Sequence, residues 1–209
     1  MKTYLLSRNI FIAFILLFSF SNKSISQNSL ENLSETSSEF RYEIRYATNS
    51  NFIGEQLYDC EMCLLRPKVA QALNQANEYF IKKGFRIKIY DCYRPLDVQK
   101  KMWKKAPNPT YVANPYTKGS VHNKGAAIDL TIETLEGCYV EMGSDYDYFG
   151  IEAHIDNTNL PKNVLENRAI LIEGMRVFGF QTIRTEWWHF NYKYNSYSIL
   201  NTPFPCENE

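Results

Sequence analysis

The sequence has no excess charge of either sign, because its 23 lysines and arginines are balanced by 23 aspartates and glutamates. Proteins that bind nucleic acid carry a basic patch or stripe that contacts phosphates. We therefore expect no nucleic-acid partner, and the balance favours a small, neutral or zwitterionic one.

Long apolar runs are also missing, apart from residues 10–20 near the start of the chain. Lys2 and Arg8 precede this run and the polar stretch "SNKSIS" follows it. This layout is typical of a secretory signal peptide, and the run is shorter than the roughly 20 residues of a transmembrane helix. We predict a signal peptide over residues 1–26, an exported protein that is periplasmic or secreted, and no stable membrane insertion after processing.

Cysteine is limited to five residues, all in the part predicted to be exported: Cys60, Cys63, Cys92, Cys138 and Cys206. The C-x-x-C formed by Cys60 and Cys63 has no second pair, which a zinc ribbon would require. Disulfides are therefore expected, with the pairing left open. Because the number is odd, one thiol remains over unless it pairs between chains.

The remaining chain divides into a polar lead-in over residues 27–40, expected to be flexible, and one domain over residues 41–209. Apolar residues recur at helical spacing or alternate as in strands. The predicted helices begin near Pro67, Pro95 and Pro161, and the predicted strands cover residues 42–46, 85–93, 126–132 and 188–195. The mixed order predicts an α+β fold with a largely antiparallel sheet and flanking helices.

The stretch "SVHNKGAAID" places His122 seven residues before Asp129, with Gly125 between them. For an isolated pair, a turn histidine and a strand-end aspartate are the more common explanation. Gly125 permits a tight turn, so His122 can fold back towards Asp129 at the start of the next strand.

The stretch "TEWWHF" places Glu186 three residues before His189. The alternative to a site is an aromatic strand with buried tryptophans and two exposed polar residues. In a regular strand, residues three apart point to opposite faces. A shared site therefore requires a bulge or turn near Trp187 and Trp188.

Together the two stretches supply two imidazoles and one carboxylate, plus a further glutamate. Three protein ligands and an open fourth position are typical of catalytic zinc, and a glutamate beside them can take a proton from water. The combination favours a zinc site over two unrelated surface turns.

"SVHNKGAAIDL" and "EWWH" resemble the S-x-H-x-x-G-x-A-x-D and E-x-W-H motifs of the M15 zinc peptidases, in particular their VanX-type D-alanyl-D-alanine dipeptidase branch. "RYATNSNFIG", "YDCYRP" and "MGSDYDYF" have counterparts in the same order, so the resemblance covers residues 42–192. It implies the M15, hedgehog-like zinc peptidase fold.

The resemblance also implies a role for each matching residue. His122, Asp129 and His189 would bind one zinc ion per chain, Glu186 would act as general base, and Arg94 would stabilise the oxyanion of the tetrahedral intermediate. A guanidinium suits this task because it stays charged and donates several hydrogen bonds.

Three further matches concern substrate recognition. Asp147 and Tyr46 match positions that recognise the free ammonium group of the substrate, and Ser120 matches a position near its carboxylate. Cys92 departs from the family, which usually has glycine before Tyr-Arg-Pro, and could shift the turn that carries Arg94. The third histidine, His154, lies in a polar loop and is expected to be exposed.

The implied reaction is hydrolysis of D-Ala-D-Ala to two D-alanines, in cell-wall peptide turnover or in glycopeptide resistance. One alternative is a D,D-carboxypeptidase or peptidoglycan endopeptidase of the same superfamily. Another is a non-catalytic, zinc-stabilised domain that binds cell-wall peptides, although the presence of both Glu186 and Arg94 counts against it. The oligomeric state is left open.

Overall fold

The computed structural model describes residues 29–37, 39–193 and 196–206. The predicted signal peptide over residues 1–26 lies outside these ranges. Within them, no helix combines the length and apolar character needed to cross a membrane.

The fold is α+β, as predicted, and its main sheet is largely antiparallel. Five strands follow the order β2-β4-β5-β7-β6, with only the β2–β4 pair parallel, and a second sheet pairs β1 with β3. The strands are β1 (Glu31–Asn32), β2 (Arg41–Tyr42), β3 (Leu64–Leu65), β4 (Phe85–Asp91), β5 (Ala127–Thr134), β6 (Phe180–Ile183) and β7 (Glu186–Tyr192).

Proline marks the start of each long helix. Pro67 occupies the first turn of its helix, where a missing N–H costs nothing, and Pro95 and Pro161 are the N-cap residues of theirs. The helices are α1 (Leu33–Thr36), α2 (Pro67–Ile81), α3 (Leu96–Lys105) and α4 (Lys162–Val177), with 3₁₀ turns at Arg45–Ala47, His122–Lys124 and Ile151–Ala153.

The first strand of the domain is shorter than predicted, and the segment before it contains regular structure. The lead-in, predicted to be flexible, contains β1 and α1. The apolar side chain of Leu33 is fully buried and packs this segment against the core. The strand predicted over residues 42–46 ends at Tyr42, and Tyr46 lies in a 3₁₀ turn. Local alternation could not reveal that turn.

Strand β5 lies at the centre of the sheet and contributes Asp129 to the site. Every residue from Ala127 to Glu133 is buried. Side chains alternate between the faces of a strand, so Ile128, Leu130 and Ile132 belong to the apolar core while Asp129 points the other way. Asp129 pairs with Asp91 of β4 and with His189 of β7. A row of polar residues therefore crosses the middle of the sheet.

Two disulfides connect distant segments. Cys63–Cys92 joins the residue before β3 to the residue after β4, and Cys60–Cys206 fixes the C-terminal segment. Cys138 is free and exposed, which accounts for the odd number.

Residues 196–206 form a C-terminal strap that crosses the turn carrying His122. The Leu200 N–H donates to the Asn123 carbonyl at 2.8 Å, and the Tyr93 hydroxyl donates to the Thr202 carbonyl at 3.0 Å.

Candidate active site

The turn between His122 and Asp129 has the predicted bend. Gly125 has φ +66°, in the left-handed region, and its N–H donates to the His122 carbonyl at 3.0 Å. A Cβ at this position would lie 2.6 Å from a methyl carbon of Leu30, so a larger residue would also force the Leu30 side chain to shift. The bend brings His122 Nε2 to 3.3 Å from Asp129 Oδ1.

The bulge predicted near the tryptophans is also present. Thr182 of β6 pairs with Phe190, whereas its neighbour Ile183 pairs with Glu186. Residues 187–189 of β7 therefore face no partner on β6, and the strand loses its regular alternation. As a result Glu186 Oε2 lies 3.8 Å from His189 Nδ1, and both residues line the same cavity.

Three buried side chains converge at this cavity. His189 Nδ1 lies 2.9 Å from Asp129 Oδ1 and 3.2 Å from His122 Nε2, and the third edge is 3.3 Å. Tetrahedral zinc with ligands about 2.0–2.1 Å away has edges of about 3.3 Å between them. The spacing and the two-nitrogen, one-oxygen donor set both fit zinc.

Hydrogen bonds on the outer side of both imidazoles indicate their tautomers. His122 Nδ1 donates to the Cys92 carbonyl at 2.6 Å, and His189 Nε2 donates to Asn191 Oδ1 at 2.9 Å. The inner nitrogens then carry lone pairs and face the Asp129 carboxylate. Three acceptors at such short range repel one another unless a cation lies between them, so the site suits a metal ion.

The charges of the predicted ligands depend on one another. Burial alone raises the pKa of Asp129, but the His122 and His189 imidazoles outweigh it and hold that pKa well below its usual range. Burial lowers the pKa of His122, and the Asp129 carboxylate more than reverses this effect. In the metal-free protein a proton can thus stand in for the cation.

Glu186, the predicted base, is nearly buried at the first position of β7. Burial raises its pKa to about 8, although the nearby His189 imidazole lowers that pKa. A carboxylate whose pKa lies near neutrality can both take up and release a proton at that pH.

Arg94 lines the same cavity, and its guanidinium is fixed from two sides. Nε and Nη2 donate to Asp91 Oδ2 at 3.2 and 2.6 Å, and Nη1 donates to Gln99 Oε1 at 2.8 Å. Burial lowers the pKa of Arg94, but the Asp91 carboxylate outweighs it and leaves the pKa well above its ordinary value. Tyr58 donates to Asp91 Oδ1 at 2.7 Å and holds that carboxylate in place.

Asp147 and Tyr46, which the resemblance assigns to recognition of the substrate ammonium group, meet at the cavity wall. The Tyr46 hydroxyl lies 3.2 and 3.0 Å from the two Asp147 carboxylate oxygens. Asp147 has φ +60°, a conformation that costs free energy for a residue other than glycine. Burial, and then the negative charge of Asp129, raise its pKa well above the usual range. Its carboxylate therefore favours a cationic neighbour.

Ser120 also lines the cavity, but its hydroxyl is engaged in the turn. Its Oγ accepts a hydrogen bond from the His122 N–H at 3.2 Å. Cys92 does not displace Arg94: its side chain forms the disulfide with Cys63, and its carbonyl is the acceptor for His122. The departure from glycine therefore supports the site.

The cavity has a volume of about 240 Å³ and one aromatic wall. Tyr111 stacks on Phe149 with ring centroids 4.6 Å apart, and Phe52 lies 4.8 Å from Phe149 on the other side.

Several side chains around the site were not predicted. Asn191 could have been found, since residues two apart on a strand share a face and it follows His189 by two. Tyr146, Gln99 and the aromatic wall have no local sequence pattern that marks them. His154 is partly buried and bonds to Arg184 Nη1 at 3.1 Å, away from the three convergent ligands.

An α+β fold with a buried His-Asp-His set, a glutamate and a fixed arginine in one cavity defines a metallohydrolase class of site. A sequence profile described as "Peptidase M15: D-ala-D-ala dipeptidase" matches residues 26–208. The chain belongs to this family of metallopeptidases.

Two relatives match most of this chain and most of their own length. The D-alanyl-D-alanine dipeptidase of Escherichia coli (strain K12) is 34% identical over 165 residues, covering 78% of this chain and 85% of that protein. The D-alanyl-D-alanine dipeptidase of Enterococcus faecalis (strain ATCC 700802 / V583) is 29% identical over 185 residues, covering 79% of this chain and 88% of that protein.

Proposed function

We propose that this chain hydrolyses D-Ala-D-Ala to two D-alanines, with one zinc ion per chain held by His122, Asp129 and His189. One observation carries the proposal: a single small cavity contains the three convergent acceptor atoms, Glu186 and the Asp147 carboxylate. The family and its dipeptidase relatives support the same reaction.

Each side chain has a defined task. A bound zinc ion supplies Lewis acidity to the attacking water and to the peptide carbonyl. Glu186 accepts the proton of the water and returns it to the leaving amine. Arg94 donates hydrogen bonds to the carbonyl oxygen as it gains negative charge, and its bonds to Asp91 and Gln99 keep it ready for this.

Asp147 supplies the preference for a free amino terminus. Its carboxylate, held by Tyr46 at the cavity wall, accepts hydrogen bonds from the substrate ammonium group. The opposite end of the dipeptide, its carboxylate, lies near Ser120. A substrate extended at the amino terminus would leave the half-buried Asp147 carboxylate without a cation, which costs free energy.

The test is incubation of the zinc-loaded protein with D-Ala-D-Ala, L-Ala-L-Ala and an N-acetylated D,D-dipeptide, with release of free alanine as the measurement. We expect cleavage of D-Ala-D-Ala and very slow cleavage of the blocked peptide. Comparable rates for the blocked and free dipeptides would overturn the dipeptidase assignment and favour a carboxypeptidase or endopeptidase.

Asp147→Asn tests the recognition step directly. Loss of a charge-assisted hydrogen bond of about 1.5–3 kcal/mol lowers kcat/KM for D-Ala-D-Ala by about 10- to 150-fold. Asp145→Asn is the matched control, because Asp145 is exposed and pairs with Arg45 outside the cavity. If both variants keep wild-type kcat/KM, Asp147 does not bind the ammonium group.

Glu186→Ala separates catalysis from binding. The proposed mechanism requires this variant to lose hydrolysis by about 10²- to 10⁴-fold while it still binds zinc. A non-catalytic, zinc-stabilised peptide-binding domain predicts that Glu186→Ala changes neither activity nor ligand binding.

We also propose that the protein is exported and acts in cell-wall dipeptide turnover. The disulfides Cys60–Cys206 and Cys63–Cys92 support export, since disulfides persist in oxidising compartments. Fractionation of the producing cells with an antibody to this chain tests the location. Recovery in the cytoplasm with all five thiols reduced would contradict it.

A further inference from the structure

Each predicted metal ligand has two polar side-chain atoms, of which one faces the centre and the other bonds to an outer partner. For His122 the outer partner is a backbone carbonyl, that of Cys92. For Asp129 and His189 the outer partners are side chains, Tyr146 and Asn191. These two side chains have no role in the reaction described above.

Tyr146 holds the outer oxygen of Asp129. Its hydroxyl donates to Asp129 Oδ2 at 3.0 Å while Oδ1 faces His189 at 2.9 Å. The ring is buried, stacked on Tyr90 with centroids 4.8 Å apart, and edge-on to Trp188 at 5.5 Å. Because the ring is packed on both sides, the hydroxyl is fixed and so is the rotation of the carboxylate.

Asn191 holds the outer nitrogen of His189. Its Oδ1 accepts from Nε2 at 2.9 Å, which leaves the Nδ1 lone pair directed inward. The backbone of Asn191 is paired on both sides, with Ala127 of β5 and with Gln181 of β6. The backbone that carries the acceptor is therefore held by both neighbouring strands.

We propose that Tyr146 and Asn191 are positioning residues that set the affinity of the site for its metal, by fixing the rotation of Asp129 and the tautomer of His189. The inference rests on the proposed metal site. Partners of this outer kind orient ligands and raise their basicity, and their loss typically weakens metal binding 10- to 100-fold.

The experiment measures zinc affinity of the full mature chain by competition with a chromophoric chelator, for Tyr146→Phe and Asn191→Ala. We expect each variant to bind zinc about 10- to 100-fold more weakly than the wild-type protein. The melting temperature of the metal-free protein is recorded alongside, and we expect Tyr146→Phe to leave it nearly unchanged, because the ring packing is retained.

Two variants serve as matched controls. Tyr90→Phe removes a hydroxyl from the ring stacked on Tyr146, and that hydroxyl is not among the hydrogen-bond partners of the three ligands. It should bind zinc as the wild-type protein does. Asn191→Asp keeps an acceptor for His189 and should restore the affinity lost in Asn191→Ala.

A positioning role also predicts rescue. The kcat of Tyr146→Phe should return to near the wild-type value at saturating zinc, because the hydroxyl acts through Asp129 and not on substrate. Wild-type zinc affinity in Tyr146→Phe or in Asn191→Ala would overturn the role of that residue. A wild-type protein that binds no zinc would instead overturn the proposed function, and this inference with it.

Discussion

At the scale of single residues, the site depends on burial as much as on residue type. Glutamates of this chain lie both on the surface and inside, but Glu186 lies in a cavity wall where its pKa rises to about 8. Arg94 is buried as well, and Asp91 keeps it charged. The same residue types on the surface would have ordinary pKa values and no fixed orientation.

The raised pKa of Glu186 predicts how stability of the metal-free protein depends on pH. Between its ordinary value of 4.5 and the folded value of about 8, the folded state keeps a proton that the unfolded chain releases. Stability is therefore lost as the pH rises through this window. Between pH 5 and pH 8, the unfolding free energy of Glu186→Gln should therefore fall by on the order of 2 kcal/mol less than that of the wild-type protein.

Urea unfolding of the metal-free proteins at several pH values measures this difference. Glu173→Gln is the control, since Glu173 is an exposed residue of α4. Parallel stability curves for the wild-type protein and Glu186→Gln would show that burial does not hold a proton on Glu186.

At the scale of elements, two departures from regular structure create the site. The bulge over residues 187–189 of β7 turns His189 towards Glu186, and the left-handed turn at Gly125 directs His122 at Asp129. Regular strands and turns of the same sequence would place these side chains on different faces. The predicted metal site is thus a property of the irregular positions.

Gly125→Ala tests the turn. Its positive φ costs about 1 kcal/mol for a residue with a Cβ, and the Cβ would also lie 2.6 Å from Leu30. We expect a loss of unfolding free energy of about 2 kcal/mol or more, together with weaker zinc binding, measured by urea unfolding and chelator competition.

Gly137→Ala is the matched control for this substitution. Gly137 also has a positive φ, but a Cβ there would meet nothing within 4 Å. Gly137→Ala should lose only about 1 kcal/mol of unfolding free energy and keep the zinc affinity of the wild-type protein. Equal losses of unfolding free energy and of zinc affinity in the two variants would show that neither the contact with Leu30 nor the position of Gly125 in the turn carrying His122 affects the site.

At the scale of the whole molecule, the disulfides fix two segments that contact the turn carrying His122. Cys60–Cys206 spans 146 residues and anchors the C-terminal strap, which bonds to Asn123 next to His122. Cys63–Cys92 fixes the segment whose carbonyl accepts from His122. The position of the turn carrying His122 therefore depends on contacts between segments that are far apart in the chain.

The disulfide pattern predicts a thiol count. The native protein should show one reactive thiol per chain, Cys138, because it is free and exposed, and five after reduction in denaturant. Titration with a chromogenic thiol reagent measures both numbers, and Cys138→Ser should show none before reduction. Three or more thiols in the native protein would mean that a disulfide is absent.

Much of the fold follows from local pattern. The three long helices, strands β4 and β5 and the α+β class were predicted from apolar spacing and proline, since periodicity and helix initiation are short-range properties. The buried lead-in at Leu33 and the 3₁₀ turn at Tyr46 were not, because long-range packing outweighs local preference there.

The sequence by itself determined which residues converge, His122, Asp129, His189 and Glu186, because the chemistry of a metal site requires those types at motif spacing. Only the tertiary structure decided what holds them. The pairing of Cys63 with Cys92 and the bond from Tyr146 to Asp129 join segments that are distant in the chain. Such contacts depend on how the elements pack, which no local pattern records.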